Sequence, residues 1–386
     1  MIYSIYDIFF INKYWNMFIA SVFFLVLSSI VVAHSHDRVL PENLIVGYAS
    51  WSECDDKLVT AVEEGVNVLI WFAINLLANE TTGEPVITGG PDLTCVKEIQ
   101  ATIRAKNLPT IHLISVGGWD APHPNTSNPV SVVYANWVKW NDGVFDGFDW
   151  DVEGNDDLKS PNNFMTVDVL QLMGEMSQMA KRDGFIVSMA PAESYVDPTF
   201  PTADGSLAHN YPEWELLQPG FTYHGRNCYS YIMTHFGTTG AVPTFDFISL
   251  QLYEGYSHLL FNTTELAPPQ SAVDYLVALV PRFIQGYSVA FSAFDEPPAV
   301  ATVAIPRTQL VLGFANGWAD NSKFALIWPE VIGAAFAILD RDGMRPRGAM
   351  FWDIADEGMD AVDPVMNTTR PFWMARGLNS FLQTRT

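Results

Sequence analysis

The chain has 386 residues, of which 49% are hydrophobic and 16% charged, so it can bury a large core and does not have a disordered composition. Its formal net charge is −23, and no Lys/Arg-rich segment is present to neutralise phosphates, which argues against nucleic acid as a partner. Only three cysteines occur, so the chain is not a disulfide-built scaffold and one thiol must be left over.

The amino terminus carries a nearly uncharged apolar run over residues 17–33, which ends in the small residues Val31, Val32 and Ala33. This pattern is typical of the hydrophobic region and cleavage site of a secretory signal peptide. We therefore predict a leader over residues 1–33, secretion, and a catalytic part over residues 34–386. Because Asp7 offsets Lys13 ahead of the run, translation from Met17 and a retained membrane anchor over 17–33 stay open.

Cysteines and sequons agree with a secretory route. We pair Cys54 with Cys95, which leaves Cys228 free, and no CxxC or Cys/His cluster indicates zinc. Four Asn-x-Ser/Thr triplets predict a glycoprotein; they begin at Asn79, Asn125, Asn262 and Asn367.

Beyond the leader, short runs of β-branched and aromatic residues alternate with stretches of helical pattern, as in repeated βα units. Eight strands are predicted, at residues 44–51, 66–75, 110–117, 144–153, 185–192, 245–253, 309–317 and 348–354. Several are apolar at consecutive positions, which is typical of parallel strands covered on both faces. After the fourth strand, apolar residues at three- and four-residue spacing predict a helix over 163–183. Eight such units predict an α/β fold, a (β/α)8 barrel of one domain.

The most informative segment is the fourth predicted strand, where residues 146–153 read DGFDWDVE. In an extended strand Asp149, Asp151 and Glu153 share one face, and the apolar residues between them point to the other. Like charges this close disfavour full ionisation, so such a row can hold one carboxyl protonated and another charged, as glycosidic bond cleavage requires. A bound divalent cation is the alternative interpretation, although Trp150 and Val152 occupy the place where a calcium loop would turn.

Active sites of barrels lie at the carboxyl ends of the strands, and Glu153 is at such an end. Aromatic residues concentrate at other predicted strand ends; they include Trp51, Trp119, Tyr253, Trp318 and Trp352. Flat aromatic faces stack against the apolar faces of pyranose rings, so a carbohydrate-binding cleft is the resulting hypothesis.

Together these residues resemble glycoside hydrolase family 18, the chitinase family. Its signature DxxDxDxE is matched in full by Asp146, Asp149, Asp151 and Glu153, and its SxGG signature by residues 115–118, SVGG. The resemblance spans roughly residues 44–358, since residues 46–48, 251–253 and 350–352 are also similar to the family's. The acid motif is the specific part.

The resemblance implies retaining, substrate-assisted hydrolysis of β-1,4-linked N-acetylglucosamine without a cofactor or metal ion. Glu153 would protonate the glycosidic oxygen, while Asp151 would hold the acetamido N–H of the substrate. Asp149 would share a proton with Asp151, and Tyr253 would orient the acetamido oxygen.

Further residues are predicted to bind the substrate, which is chitin or N-acetylglucosamine oligosaccharides. Trp352 would form the stacking floor, with additional contacts from Gln251, Tyr48 and Trp119. A contact by Glu193, where the family varies, is left open.

About thirty residues separate the seventh and eighth strands, which leaves no room for the α+β insertion that deepens the cleft in many family members. We therefore expect a monomeric endo-chitinase with an open groove. Two alternatives stay open: an endo-β-N-acetylglucosaminidase acting on N-glycans, and a non-hydrolytic chitin-binding lectin. Lectins of this family generally lose the acid at the position of Glu153, which is present here.

Overall fold

A computed structural model describes residues 39–51, 53–157, 159–207, 227–294, 299–319, 321, 323–357, 362–363 and 368–383. The predicted leader, with its alternative anchor over 17–33, and the sequon at Asn367 lie outside the described residues.

Eight parallel strands form a closed barrel in which each strand pairs with its neighbours in chain order. The first strand closes the barrel by pairing with both the second and the last. All eight fall within or overlap the predicted runs, so the (β/α)8 prediction is confirmed. The strands are β1 Leu44–Tyr48, β2 Val68–Ala78, β3 Ile111–Gly118, β4 Gly147–Val152, β5 Ile186–Met189, β6 Phe247–Gln251, β7 Leu310–Ala315 and β8 Gly348–Trp352.

A helix follows each strand. The eight are α1 Asp56–Glu63, α2 Leu93–Ala105, α3 Val130–Asn141, α4 Val167–Arg182, α5 Cys228–Phe236, α6 Ala272–Gln285, α7 Pro329–Arg341 and α8 Trp373–Leu382. Helix α4 confirms the helix predicted after the acidic strand: the Thr166 side chain caps it by accepting from the Val169 amide, and Leu170, Met173 and Met176 are buried. None of the described helices is both long and apolar enough to span a membrane.

Smaller elements decorate the barrel. Strand Pro85–Gly89 pairs antiparallel with the end of β2, and a hairpin of Tyr287–Ala290 and Val300–Val303 lies between α6 and β7. Among the described residues between β7 and β8, α7 is the one regular element, which agrees with the predicted lack of an insertion there. The remaining short elements are Thr238–Thr239, Val242–Pro243, Val362–Asp363, Thr368–Thr369, His258–Leu260, Phe261–Glu265, Pro161–Asn163, Glu193–Val196, Ser292–Phe294 and Ala355–Glu357.

The predicted disulfide is confirmed, because Cys54 and Cys95 are bonded with their Cα atoms 6.2 Å apart. It joins the segment between β1 and α1 to helix α2. Cys228 is buried as a free thiol at the start of α5.

Two glycines set the spacing between β4 and its neighbours. A Cβ at Gly147 would lie 1.7 Å from the carbonyl oxygen of Ile186 in β5, which is far inside contact distance. Gly117 in β3 has a φ of 107°, and a Cβ there would lie 2.6 Å from the carbonyl oxygen of Asp151. The glycines of both motifs therefore let the acid-bearing strand pack closely on either side.

Replacing Gly147 by alanine should destabilise the barrel strongly, because the clash is with backbone that cannot rotate away. We expect the free energy of unfolding to fall by about 3 kcal/mol or more. The matched control is Gly317→Ala, whose added Cβ would meet nothing closer than 3.9 Å. Denaturant unfolding of the three proteins measures the difference, and equal stabilities of the two variants would contradict this account.

Candidate active site

The acid row of β4 begins in the barrel interior with Asp149, which is fully buried. Its two oxygens accept hydrogen bonds from the Tyr48 hydroxyl of β1, at 2.6 Å, and from the Ser188 hydroxyl of β5, at 2.5 Å. Burial raises the pKa of Asp149 to about 7, and the two hydroxyl donors limit that rise. Asp149 is therefore anchored from both sides of the barrel.

Asp151 and Glu153 lie further along the same face and are joined by one amide. Gln251 Nε2 of β6 donates to Asp151 Oδ1 at 2.8 Å, to Glu153 Oε1 at 3.4 Å and to the Ala190 carbonyl oxygen at 2.6 Å. Asp151 and Glu153 are thus linked through the Gln251 amide, while Glu153 and Asp149 act on Asp151 through their charges.

Both of these carboxyls hold protons more tightly than ordinary acids do. Burial, followed by the charges of Glu153 and Asp149, raises the pKa of Asp151 well above its usual value. Burial, followed by the negative charge of Glu254, raises the pKa of Glu153 to about 8. At neutral pH Glu153 is therefore a proton donor, which is the state that a general acid needs.

Glu153 faces a cavity of about 880 Å³ at the carboxyl ends of the strands. The residue is 6% exposed, and its Oε2 has no hydrogen-bond partner among the described residues, so this oxygen is uncommitted. The backbone around it is fixed: His123 Nε2 lies 2.8 Å from the Glu153 carbonyl oxygen, and the Tyr229 hydroxyl bonds the amide and carbonyl of Val152.

The cavity wall is largely aromatic, with carboxyl groups among the rings. It is formed by Trp51, Phe72, Asn75, Trp119, Asp120, Ala121, Pro122, Asp151, Glu153, Asp156, Tyr253, Glu254, Trp318, Lys323, Phe324 and Trp352. Such a wall can bind the apolar faces of sugar rings while acids address their polar groups.

Trp352, at the end of β8, is half-buried and held by its neighbours. Its ring lies 4.7 Å from that of Phe72 at 72°, and 5.7 Å from that of Tyr48. Trp318 Nε1 donates to the backbone carbonyl oxygen of Trp352 at 2.7 Å. A ring packed edgewise on one side and open to the cavity on the other can serve as a stacking platform.

The structure brings five of the predicted site residues to one cavity: Asp151, Glu153, Tyr253, Trp119 and Trp352. Asp149 lies beneath them in the barrel.

Tyr48 and Gln251, both predicted to contact substrate, do not form part of the cavity wall, and their contact with substrate stays a prediction. Each is buried, and its polar group is bonded to an acid of β4: Tyr48 to Asp149, and Gln251 to Asp151 and Glu153. They position the acids from below.

Two further acids, Asp146 and Glu193, lie outside the cavity wall. Asp146 of the motif accepts the His112 backbone amide at 2.9 Å, away from the cavity. Glu193 is buried, accepts hydrogen bonds from the Tyr275 hydroxyl and the Leu259 amide, and does not form part of the cavity wall. A substrate contact by Glu193 is therefore not supported.

Sequence reasoning missed Glu254, a further carboxyl in the cavity. Burial, followed by the charge of Asp151, raises its pKa to about 8. Strand alternation would turn Glu254 away from Gln251 and Tyr253, but β6 ends at Gln251 and the alternation no longer applies. Its place directly after a barrel strand was the available signal.

The arrangement of donors bears on the cation alternative. Hydroxyl groups occupy both oxygens of Asp149, and the Gln251 amide points its N–H bonds at Asp151 and Glu153. Donors around carboxyls suit hydrogen-bonded acids rather than metal ligands. Among the described residues, no group of three or more His, Cys, Asp or Glu side chains is placed to hold a metal ion.

Solved structures with a similar fold include the ChiA carboxy-terminal domain of Legionella pneumophila, with a TM-score of 0.56 and 14% sequence identity over 89% of this chain and 99% of that one. Chitinase ChiC of Aspergillus fumigatus matches with a TM-score of 0.50 and 17% identity, over 81% and 91% of the two chains. No family model and no curated protein sequence matches this chain. At these identities the likeness shows the fold alone, the (β/α)8 barrel.

The buried acids should make stability fall as pH rises. The pKa of Glu153 rises from an ordinary 4.5 to about 8 on folding, so between these values the folded chain keeps a proton that the unfolded chain releases. This contribution to stability is complete below the unfolded pKa and is lost as pH rises through the folded one. Asp149 and Glu254 have shifts of the same sign.

We therefore expect the unfolding temperature to fall between about pH 5 and about pH 8 at constant ionic strength. Glu153→Gln removes one of these groups, so its unfolding temperature should fall less over the same interval. Thermal denaturation at several pH values checks this, and parallel curves for the two proteins would show that Glu153 does not titrate as described.

Proposed function

We propose that this protein is a secreted endo-chitinase that hydrolyses β-1,4 bonds between N-acetylglucosamine units with retention of configuration and with assistance from the substrate. The single observation that carries the proposal is the Glu153 carboxyl. It holds a proton at neutral pH, has an uncommitted oxygen, and faces an aromatic cavity at the carboxyl ends of the barrel strands.

In the proposed reaction, Glu153 donates its proton to the glycosidic oxygen as the bond to the anomeric carbon breaks. The carbonyl oxygen of the substrate's own 2-acetamido group attacks that carbon from the opposite face and forms an oxazolinium ion. The Glu153 carboxylate then removes a proton from water as the water opens this ion, which restores the acid and releases a β-anomer.

Asp151 and Tyr253 act on the acetamido group. The Asp151 carboxyl, placed beside Glu153, would accept the acetamido N–H and stabilise the positive charge of the oxazolinium ion. Tyr253 faces the same cavity and would donate its hydroxyl to the acetamido oxygen. Asp149, whose oxygens are bonded to Tyr48 and Ser188, would share a proton with Asp151 and so set the ionisation of Asp151.

The geometry of the acids supports substrate assistance over the two-carboxylate schemes. Inverting enzymes separate their carboxyls by roughly 6.5–9.5 Å to admit water, and other retaining enzymes by roughly 5–5.5 Å to flank the sugar. Asp151 and Glu153 accept from the same Gln251 amide nitrogen, so they lie side by side and do not flank a sugar ring from opposite faces. Asp149 is fully buried and cannot reach an anomeric carbon.

Secretion and endo-cleavage belong to the same proposal. The Cys54–Cys95 disulfide suits an oxidising compartment, in agreement with the predicted leader. The short connection between β7 and β8 carries no inserted domain among its described residues, which supports a groove that a polymer can lie across. A lectin would not need a protonated carboxyl with an uncommitted oxygen.

Glu153→Gln should abolish turnover while leaving binding of chitin oligosaccharides largely intact, because the amide keeps the shape but cannot supply a proton. We expect kcat to fall by at least roughly 10²-fold, the usual contribution of general acid catalysis. Glu193→Gln is the matched control, since Glu193 is equally buried but lies outside the cavity wall. The measurements are hydrolysis rates and calorimetric binding of chitin oligosaccharides. Normal turnover by the Glu153→Gln variant would refute the assignment of Glu153 as the general acid.

Glu254→Gln should move the basic limb of the kcat/KM profile to lower pH. The negative charge of Glu254 is the second cause of the raised pKa of Glu153, so its removal lets Glu153 lose its proton earlier. The Glu193→Gln variant again serves as control and should keep the wild-type limb. If the limb stays in place or moves to higher pH, Glu254 does not act on the general acid.

A further inference from the structure

The cavity is unevenly charged. Five carboxyl groups face it, while Lys323 is the one basic residue among its described lining residues; the acids are Asp120, Asp151, Glu153, Asp156 and Glu254. Asp151, Glu153 and Glu254 are buried, whereas Asp120 and Asp156 are exposed. The solvent-exposed carboxylates of the cavity are therefore Asp120 and Asp156.

These two carboxylates are held in place as a pair. The Asp120 amide donates to the Gly154 carbonyl oxygen at 3.1 Å, and Asp120 Oδ1 accepts the Asp156 amide at 2.7 Å. Asp156 Oδ1 in turn accepts the Trp119 indole N–H at 3.0 Å. One oxygen of each carboxylate therefore fixes the two loops to each other.

The pair lies directly beside the general acid. Gly154 follows Glu153 in the chain, and a Cβ there would lie 3.4 Å from the Trp119 ring. The buried, unpartnered Oε2 of Glu153 faces the same cavity as Trp119 and the two carboxylates. A sugar chain whose glycosidic oxygen reaches Glu153 therefore has a neighbouring unit against the Trp119 wall.

We propose that this wall, formed by Trp119, Asp120 and Asp156, selects a protonated glucosamine unit, so that the enzyme acts on partially deacetylated chitin. The inference rests on the proposed function. The sugar that is cleaved keeps its acetyl group, because its carbonyl oxygen is the nucleophile. The adjoining unit, stacked on Trp119, presents a 2-ammonium group to two carboxylates that a neutral acetamide would leave without a counter-charge.

The same charges bear on the N-glycan alternative. Anionic sugars would meet Asp120 and Asp156 as like charges, which disfavours binding. Because the two carboxylates are exposed, their attraction for an ammonium group is screened by salt. The preference for glucosamine should therefore weaken as ionic strength rises, whereas stacking on Trp119 should not.

The test compares kcat/KM on a partially acetylated chitosan with kcat/KM on a fully acetylated chitin hexamer, and sequences the products by mass spectrometry. The wild-type protein should give product ends enriched in glucosamine on one side of the cleaved bond. In the double variant Asp120→Asn/Asp156→Asn the chitosan-to-chitin ratio should fall roughly four- to twenty-five-fold, at two- to five-fold for each exposed charge pair, and the enrichment should disappear. Asp157→Asn is the matched control, because this exposed acid of the same loop is not part of the cavity wall.

The outcomes separate this inference from the proposed function. If the wild-type protein does not cleave the acetylated hexamer, the proposed function fails. If it cleaves the hexamer but its chitosan products show random ends, or if the double variant keeps the wild-type ratio, the glucosamine inference alone is overturned. The inference would also be overturned if Asp157→Asn lowered the ratio as much as the double variant does. Loss of a negative charge outside the cavity wall would then be enough to explain the effect.

Discussion

The burial of three carboxyl groups on one face of β4 is the constraint on which the site depends. Taking a charged carboxylate out of water is costly, so Asp149, Asp151 and Glu153 keep protons at a pH where free acids lose them. Hydrogen-bond donors from other strands, including Gln251 and Tyr48, lower this cost without removing it. The protein is therefore less stable at neutral and basic pH, but it retains a proton donor at the cavity.

The barrel makes this arrangement possible because it brings separate strands to one end. Donors to the acid row come from β1, β5 and β6, which are far apart in sequence. Gly147 and Gly117 let β4 pack closely against β5 and β3, so the acids keep a fixed height in the barrel. The positions of the acid side chains therefore depend on a backbone spacing that is set by two glycines outside the cavity wall.

Much of this could be predicted from sequence because the signals are periodic and local. Eight apolar runs predicted the barrel, and the alternation within residues 146–153 placed Asp149, Asp151 and Glu153 on one face, as the structure shows. The bonds of Tyr48 to Asp149 and of Gln251 to Asp151 could not be predicted, because a sequence does not reveal which side chains from separate strands meet inside a barrel. Glu254 was missed because it lies three residues beyond the end of β6, where strand alternation no longer applies.

The measurement that tests the central claim most directly is the anomeric configuration of the first product, followed by proton magnetic resonance during cleavage of a chitin oligosaccharide. Attack by the acetamido oxygen followed by attack of water inverts the anomeric carbon twice, so the account predicts that the new reducing end forms first as the β-anomer and then equilibrates. An α-anomer as the first product would contradict it, because a single displacement by water would then have occurred with a second carboxylate as base.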